Sequence, residues 1–89
     1  MLDPIVLVRV HQTCMACPSQ WDAWDANGQY YYLRYRYGRG TVETASSEQD
    51  YLENGPTVLV TEFIRGDQLD GEISLDEFLA KAGMRAFDA

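Results

Sequence analysis

The hydrophobic and polar positions of this chain fall into short stretches, most of them alternating with a period of two. Pro4 to His11 is apolar without alternation until Arg9, the pattern of a strand buried on both faces and central in its sheet. Residues 12–18 follow as a loop. From Trp21 to Glu43 apolar and polar positions alternate around two breaks, Asn27-Gly28 and Gly38-Arg39-Gly40, and five of the six tyrosines lie between them.

Asn-Gly between aromatic-rich runs predicts a β-hairpin closed by a two-residue type I′ turn, because both central residues of that turn need positive φ. The register that follows pairs Trp24 with Tyr31, Asp22 with Leu33 and Trp21 with Arg34. Side chains alternate across a strand, so every residue is sorted to one of two faces. Trp24, Tyr31, Leu33, Tyr35 and Tyr37 form the expected core face. Trp21, Tyr30, Tyr32, Arg34 and Arg36 form an expected solvent-side row, where Trp21 stacks on Arg34 and an arginine pairs with Glu43. A second two-residue turn at either glycine of 38–40 places Val42 on the first face and Glu43 on the second.

Ser46 to Pro56 is polar and turn-rich, with room for one helical turn around Glu48–Leu52 before Asn54-Gly55-Pro56 stops it. Thr57–Ile64 is β-branched and aromatic and reads as a strand. Arg65 to Gly71 turns the chain. Ser74 with Glu77 makes a capping box, Leu75, Phe78, Leu79 and Ala82 give an apolar stripe at helical spacing, and Gly83 is a stop. The predicted fold class is α+β: a small antiparallel sheet of four or five strands, with a central hairpin over 19–37 and one C-terminal α-helix packed on it.

At 89 residues, 46% hydrophobic, the chain suffices for a single domain, 1–89, with a thin margin of buried surface. Charge changes the picture more. The net charge is −7, with three acids and four arginines in residues 1–40 and eleven acids against Arg65, Lys81 and Arg85 in residues 41–89. Such a balance is unsuited to nucleic acid, whose phosphates demand cations, and points to a protein partner. Asp3 and Pro4 stand where a signal peptide would be basic, and Ile5–Val8 is too short to span a membrane, so a cytoplasmic location is expected.

Three constellations carry candidate chemistry. His11-x-x-Cys14-x-x-Cys17 has zinc-ligand types, but a closed zinc site takes four ligands and the chain has no further Cys or His. The same cysteines, followed by Pro18 and with Gly55-Pro56 before a later strand and helix, resemble the thioredoxin/glutaredoxin plan. That resemblance implies Cys14 as nucleophile, Cys17 as resolving thiol and Pro56 as the facing proline. It also demands a long helix directly after the motif, where Pro18–Ala26 precede a turn. Gly66–Phe78 resembles the back half of an EF-hand loop, with Asp70 and Glu77 as calcium ligands. Its first position is Gly66 rather than a carboxylate, however, and Ser74–Glu77 capping accounts for the matching residues. The third constellation is the row Trp21, Tyr30, Tyr32, Arg34 and Arg36, residue types enriched where proteins dock. One histidine and no phosphate-binding loop argue against a hydrolase, and no cofactor is expected.

The run from Cys17 through Trp21, Trp24, Asn27-Gly28 and Tyr30–Tyr37 to Gly38 resembles a pattern of small proteins of actinobacteria and their phages. These often end in a segment similar to Asp70–Phe78. The resemblance implies a phage or phage-derived accessory protein and carries over no functional residues. The expectation is a non-catalytic binding protein docking through the Tyr/Arg row, the acidic half, or both.

Overall fold

A computed structural model describes residues 5–14, 19–55, 58–66 and 71–86. Its strands are β1 (Ile5–Cys14), β2 (Ser19–Asp25), β3 (Tyr30–Arg36), β4 (Arg39–Ala45), β5 (Val58–Ile64) and β6 (Met84–Ala86), with helices α1 (Glu48–Asn54) and α2 (Leu75–Ala82). The strands form one curled, half-barrel sheet in the order β5-β4-β3-β2-β1-β6. Every neighbouring pair is antiparallel except β1 with β6, which is parallel. The expected sheet of four or five strands with a single helix is therefore corrected. Strand dominates, a sixth strand follows Gly83, and the polar stretch after Ser46 is a second helix.

That second helix forms because Ser47 caps it, its side chain accepting from the Asp50 N–H at 3.0 Å, while Gly55 at φ 83° ends it. The sixth strand follows from the stop at Gly83, whose left-handed φ of 73° returns the chain to the β1 edge. Only three residues long, β6 offers no periodicity to read.

The hairpin of β2 and β3 is central, as the alternation predicts, but its register is offset by one residue. Trp24 pairs with Tyr30, Ala23 with Tyr31, Asp22 with Tyr32 and Trp21 with Leu33. The loop holds three residues rather than two, with the Gly28 N–H donating to the Asp25 carbonyl at 3.0 Å and Gly28 alone at positive φ. Asp25 selects this geometry: its Oδ1 accepts from the N–H groups of Asn27 and Gln29, each at 2.9 Å. A one-residue slip exchanges the faces of one strand relative to the other. Trp21 moves into the core and Trp24 leaves it.

The inner face collects Leu7, Trp21, Ala23, Tyr31, Leu33, Tyr35, Val42 and Met84, covered by Ile73, Phe78 and Leu79. Phe78 of α2 meets Trp21 at 5.5 Å and Phe63 at 5.0 Å between ring centroids, and Phe63 stacks on Tyr35 at 6.2 Å. Gly40 makes the last contact possible, since a Cβ there would run into the Phe63 ring. Buried Ser19 fixes the approach to α2, its N–H donating to the Gly71 carbonyl at 2.9 Å and its Oγ accepting from the Ile73 N–H at 3.3 Å.

β1 departs from expectation in place and burial. It lies next to the sheet edge, and only Leu7 is fully buried while Val8 is exposed. A bulge between Leu7 and Arg9 turns Val8 outward.

Candidate functional site

The other side of the sheet, here the outer face, carries Asp22, Trp24, Tyr30, Tyr32, Arg34, Arg36, Thr41 and Glu43 by alternation from the observed register. Its middle is covered by α1, which lays one side chain, Tyr51, against Tyr32 and Tyr30, with ring centroids at 4.8 and 5.9 Å. Each hydroxyl beneath is spoken for. Tyr30 Oη donates to Asp22 at 2.6 Å, Tyr51 Oη to Glu43 at 3.0 Å, and Tyr32 Oη to Gln20. Burial, then the neighbouring carboxylates, push the Tyr30 and Tyr51 phenols well above their usual range; burial also raises Tyr32. Among the described residues, no buried side-chain nitrogen or oxygen lacks a partner.

The proposed solvent row is thus corrected by the structure. Trp21, 2% exposed, is an inner-face core residue against Phe78 rather than a partner of Arg34. Tyr30, 1% exposed, lies beneath Tyr51, and Tyr32 is half-covered by the same ring. Glu43 takes the Tyr51 hydroxyl instead of an arginine. Arg34, half-buried, and Arg36, exposed, keep their outward placement.

Those two arginines open onto a concavity of about 340 Å³ at the end of the β3–β4 hairpin, lined by Arg34, Arg36, Tyr37, Arg39, Thr41 and Ile64. The turn that builds it is Tyr37-Gly38, with φ of 56° and 74°, so the two-residue turn with both φ positive occurs here rather than at Asn27-Gly28. It closes one residue earlier than a turn at Gly38-Arg39 and two earlier than one at Arg39-Gly40. Val42 then faces Leu33 and Glu43 faces Tyr32, which preserves the expected faces.

Two local costs converge on this end. Tyrosine is bulky for a left-handed backbone position, and Arg36 lies directly opposite Arg39, like charge against like. Each cost is partly offset. The Arg36 guanidinium lies 4.5 Å over the Tyr37 ring and donates to its hydroxyl at 2.8 Å, while Arg39 pairs with Glu62. Tyr37 and Ile64 remain 62% and 73% exposed. Sequence reading missed Tyr37, Arg39 and Ile64 as members of this site. The signal was the better apolar match of Val42 to Leu33 when the turn moves back to Tyr37-Gly38.

The remaining candidates lie only partly within the described residues. His11 and Cys14 lie on β1 opposite Asp22 and Gln20, with a register shift between Gln12 and Cys14, and Cys17 lies outside the described residues. Among the described residues, no three His, Cys, Asp or Glu side chains converge as a metal site. The thioredoxin-like plan loses its helix, for β2 begins at Ser19, directly after the Cys17-Pro18 segment. Pro56 is outside the described residues, as is Asp70. Glu77 is occupied: its carboxylate pairs with Arg65 and its N–H donates to Ser74 Oγ at 3.2 Å.

The architecture is a curled, mostly antiparallel sheet with an arginine-lined hollow at the end of one hairpin. Comparison with protein-family models, with curated proteins and with solved structures finds no match. No described helix is long and apolar enough to cross a membrane.

Proposed function

We propose that this is a small non-catalytic accessory protein that docks on a protein partner through the Arg/Tyr end of its β3–β4 hairpin. A phage or phage-derived origin and a cytoplasmic setting belong to the same reading; both rest on the sequence pattern. The observation that carries the docking role is the gathering of Arg34, Arg36 and Arg39 around one hollow of a chain with net charge −7. Local stability argues against that gathering, and surfaces that keep a stability cost are commonly functional. Exposed arginine and tyrosine also carry most energy where proteins meet.

The test is comparative capture. Immobilised wild type and an Arg36→Ala/Tyr37→Asn variant, both folded by circular dichroism, are exposed to a bacterial lysate and the retained proteins quantified. A partner held by the wild type and lost from the variant supports the reading. Equal retention by both removes it.

A further inference from the structure

We propose that the hollow takes an extended acidic segment of a partner protein, added to the sheet as a seventh strand along β5. This rests on the docking reading above and names its ligand.

Among the described residues the two sheet edges are unequal. β6 is three residues long, with Met84 buried, whereas β5 runs for seven without proline or lysine, the residues that commonly block an edge. Register settles which of its backbone groups face outward. The Arg65 N–H donates to the Gly38 carbonyl at 2.9 Å, and Gly40 pairs with Phe63 and Val42 with Thr61. Antiparallel ladders alternate bonded and non-bonded pairs, so Glu62 and Ile64 turn their N–H and C=O away from β4. The register shift between Val42 and Glu43 ends the regular ladder on the other side. The usable edge is therefore the short stretch 61–64, beside the hollow.

Side chains on one face of an added strand would lie over the outer face, next to Ile64. Arg39, on β4, is then two strand spacings away, about 10 Å, a span that extended arginine and glutamate side chains bridge together. Arg34 and Arg36, one strand further, add positive field. Glu62 already models the interaction, since its carboxylate neutralises Arg39 from the neighbouring strand. Backbone bonds to the edge would give affinity, and alternate acidic side chains would give selectivity.

The probe is an acetylated eight-residue peptide alternating glutamate and threonine, titrated into ¹⁵N-labelled protein, with a lysine–threonine peptide as control. The expected result is amide shifts centred on Glu62 and Ile64. Affinity should drop at least tenfold in Arg36→Gln/Arg39→Gln and by a similar factor in high salt, whereas Glu62→Gln, which releases Arg39, should bind the peptide two- to threefold more tightly. Equal binding of the lysine peptide, indifference to the arginine changes, or shifts away from β5 would overturn the proposal. If the acidic peptide fails while partner capture still depends on Arg36 and Tyr37, the docking reading stands without strand addition. If capture also fails to depend on them, both fall.

Discussion

Tyr37 holds a backbone conformation that asparagine or glycine would adopt at lower cost, and it does so with most of its ring in solvent. Replacing it by asparagine makes the turn Asn-Gly, the preferred type I′ pair. Tyr37→Asn is expected to raise stability by about 1 kcal/mol in urea unfolding while weakening partner binding. A loss of stability would show that the ring, not the backbone, governs this turn. Gly40 is the opposite case, constrained by space: Gly40→Ala should cost about 1–3 kcal/mol, because Phe63 is wedged between Tyr35 and Phe78 and has nowhere to retreat. On the outer face, Tyr30→Phe strands the buried Asp22 carboxylate without its hydroxyl donor. A destabilisation of about 1–3 kcal/mol is expected, with the Asp22→Asn/Tyr30→Phe double variant losing less than the two single losses combined.

Among the elements, α1 is the most loosely held. It buries none of its own residues, exposes Leu52, and rests on the sheet through Tyr51. Its helicity depends on the Ser47 cap and on the Asp50–Asn54 and Gln49–Glu53 hydrogen bonds along its surface. Amide exchange should therefore show α1 opening well before the β2–β3 hairpin. Tyr51→Ala should bring α1 exchange close to that of unstructured chain while leaving β2 and β3 protected, whereas slow exchange persisting in the variant would mean that the backbone caps suffice. By contrast α2 is anchored at several points, by Phe78 and Leu79 in the core, by Ser74 at its start and by the Arg65–Glu77 pair. Its stripe was legible in the sequence because helical spacing is a local property. The role of α1 was not, since a single tyrosine among polar residues gives no periodic signal.

For the molecule as a whole, four tyrosines set the response to alkaline pH. Burial holds Tyr30, Tyr31, Tyr32 and Tyr51 above the ordinary phenol value, reinforced by Asp22 at Tyr30, Asp25 at Tyr31 and Glu43 at Tyr51. In the unfolded chain they ionise near pH 10. Above about pH 10 the unfolded state releases protons that the folded state retains, so stability is complete below that point and is lost as pH rises through it. Melting temperature should stay level between about pH 8 and 9.5 and then fall, with the 295 nm phenolate absorbance of these four tyrosines appearing only as the fold is lost. Tyr51→Phe and Tyr30→Phe should each make the fall shallower. Phenolate absorbance at full value in the folded protein near pH 10 would contradict the burial on which this rests.

Local chemistry along the chain marked the central hairpin and bounded the C-terminal helix: alternation located β2 and β3 without fixing their turns, Ser74 and Gly83 bracketed α2, and the parity of Val42 and Glu43 held. Which tryptophan is inside turned on loop chemistry that alternation does not register. The carboxylate of Asp25 lengthened one loop by a residue, and because side chains repeat every two positions along a strand, that small change exchanged Trp21 with Trp24. The tertiary structure alone decided the burial of Tyr30 under Tyr51, the parallel docking of β6 and the meeting of Arg34, Arg36 and Arg39 with Ile64, which join residues distant in sequence. Pairwise register and face-to-face packing bring such groups together, and neither is encoded within any one stretch.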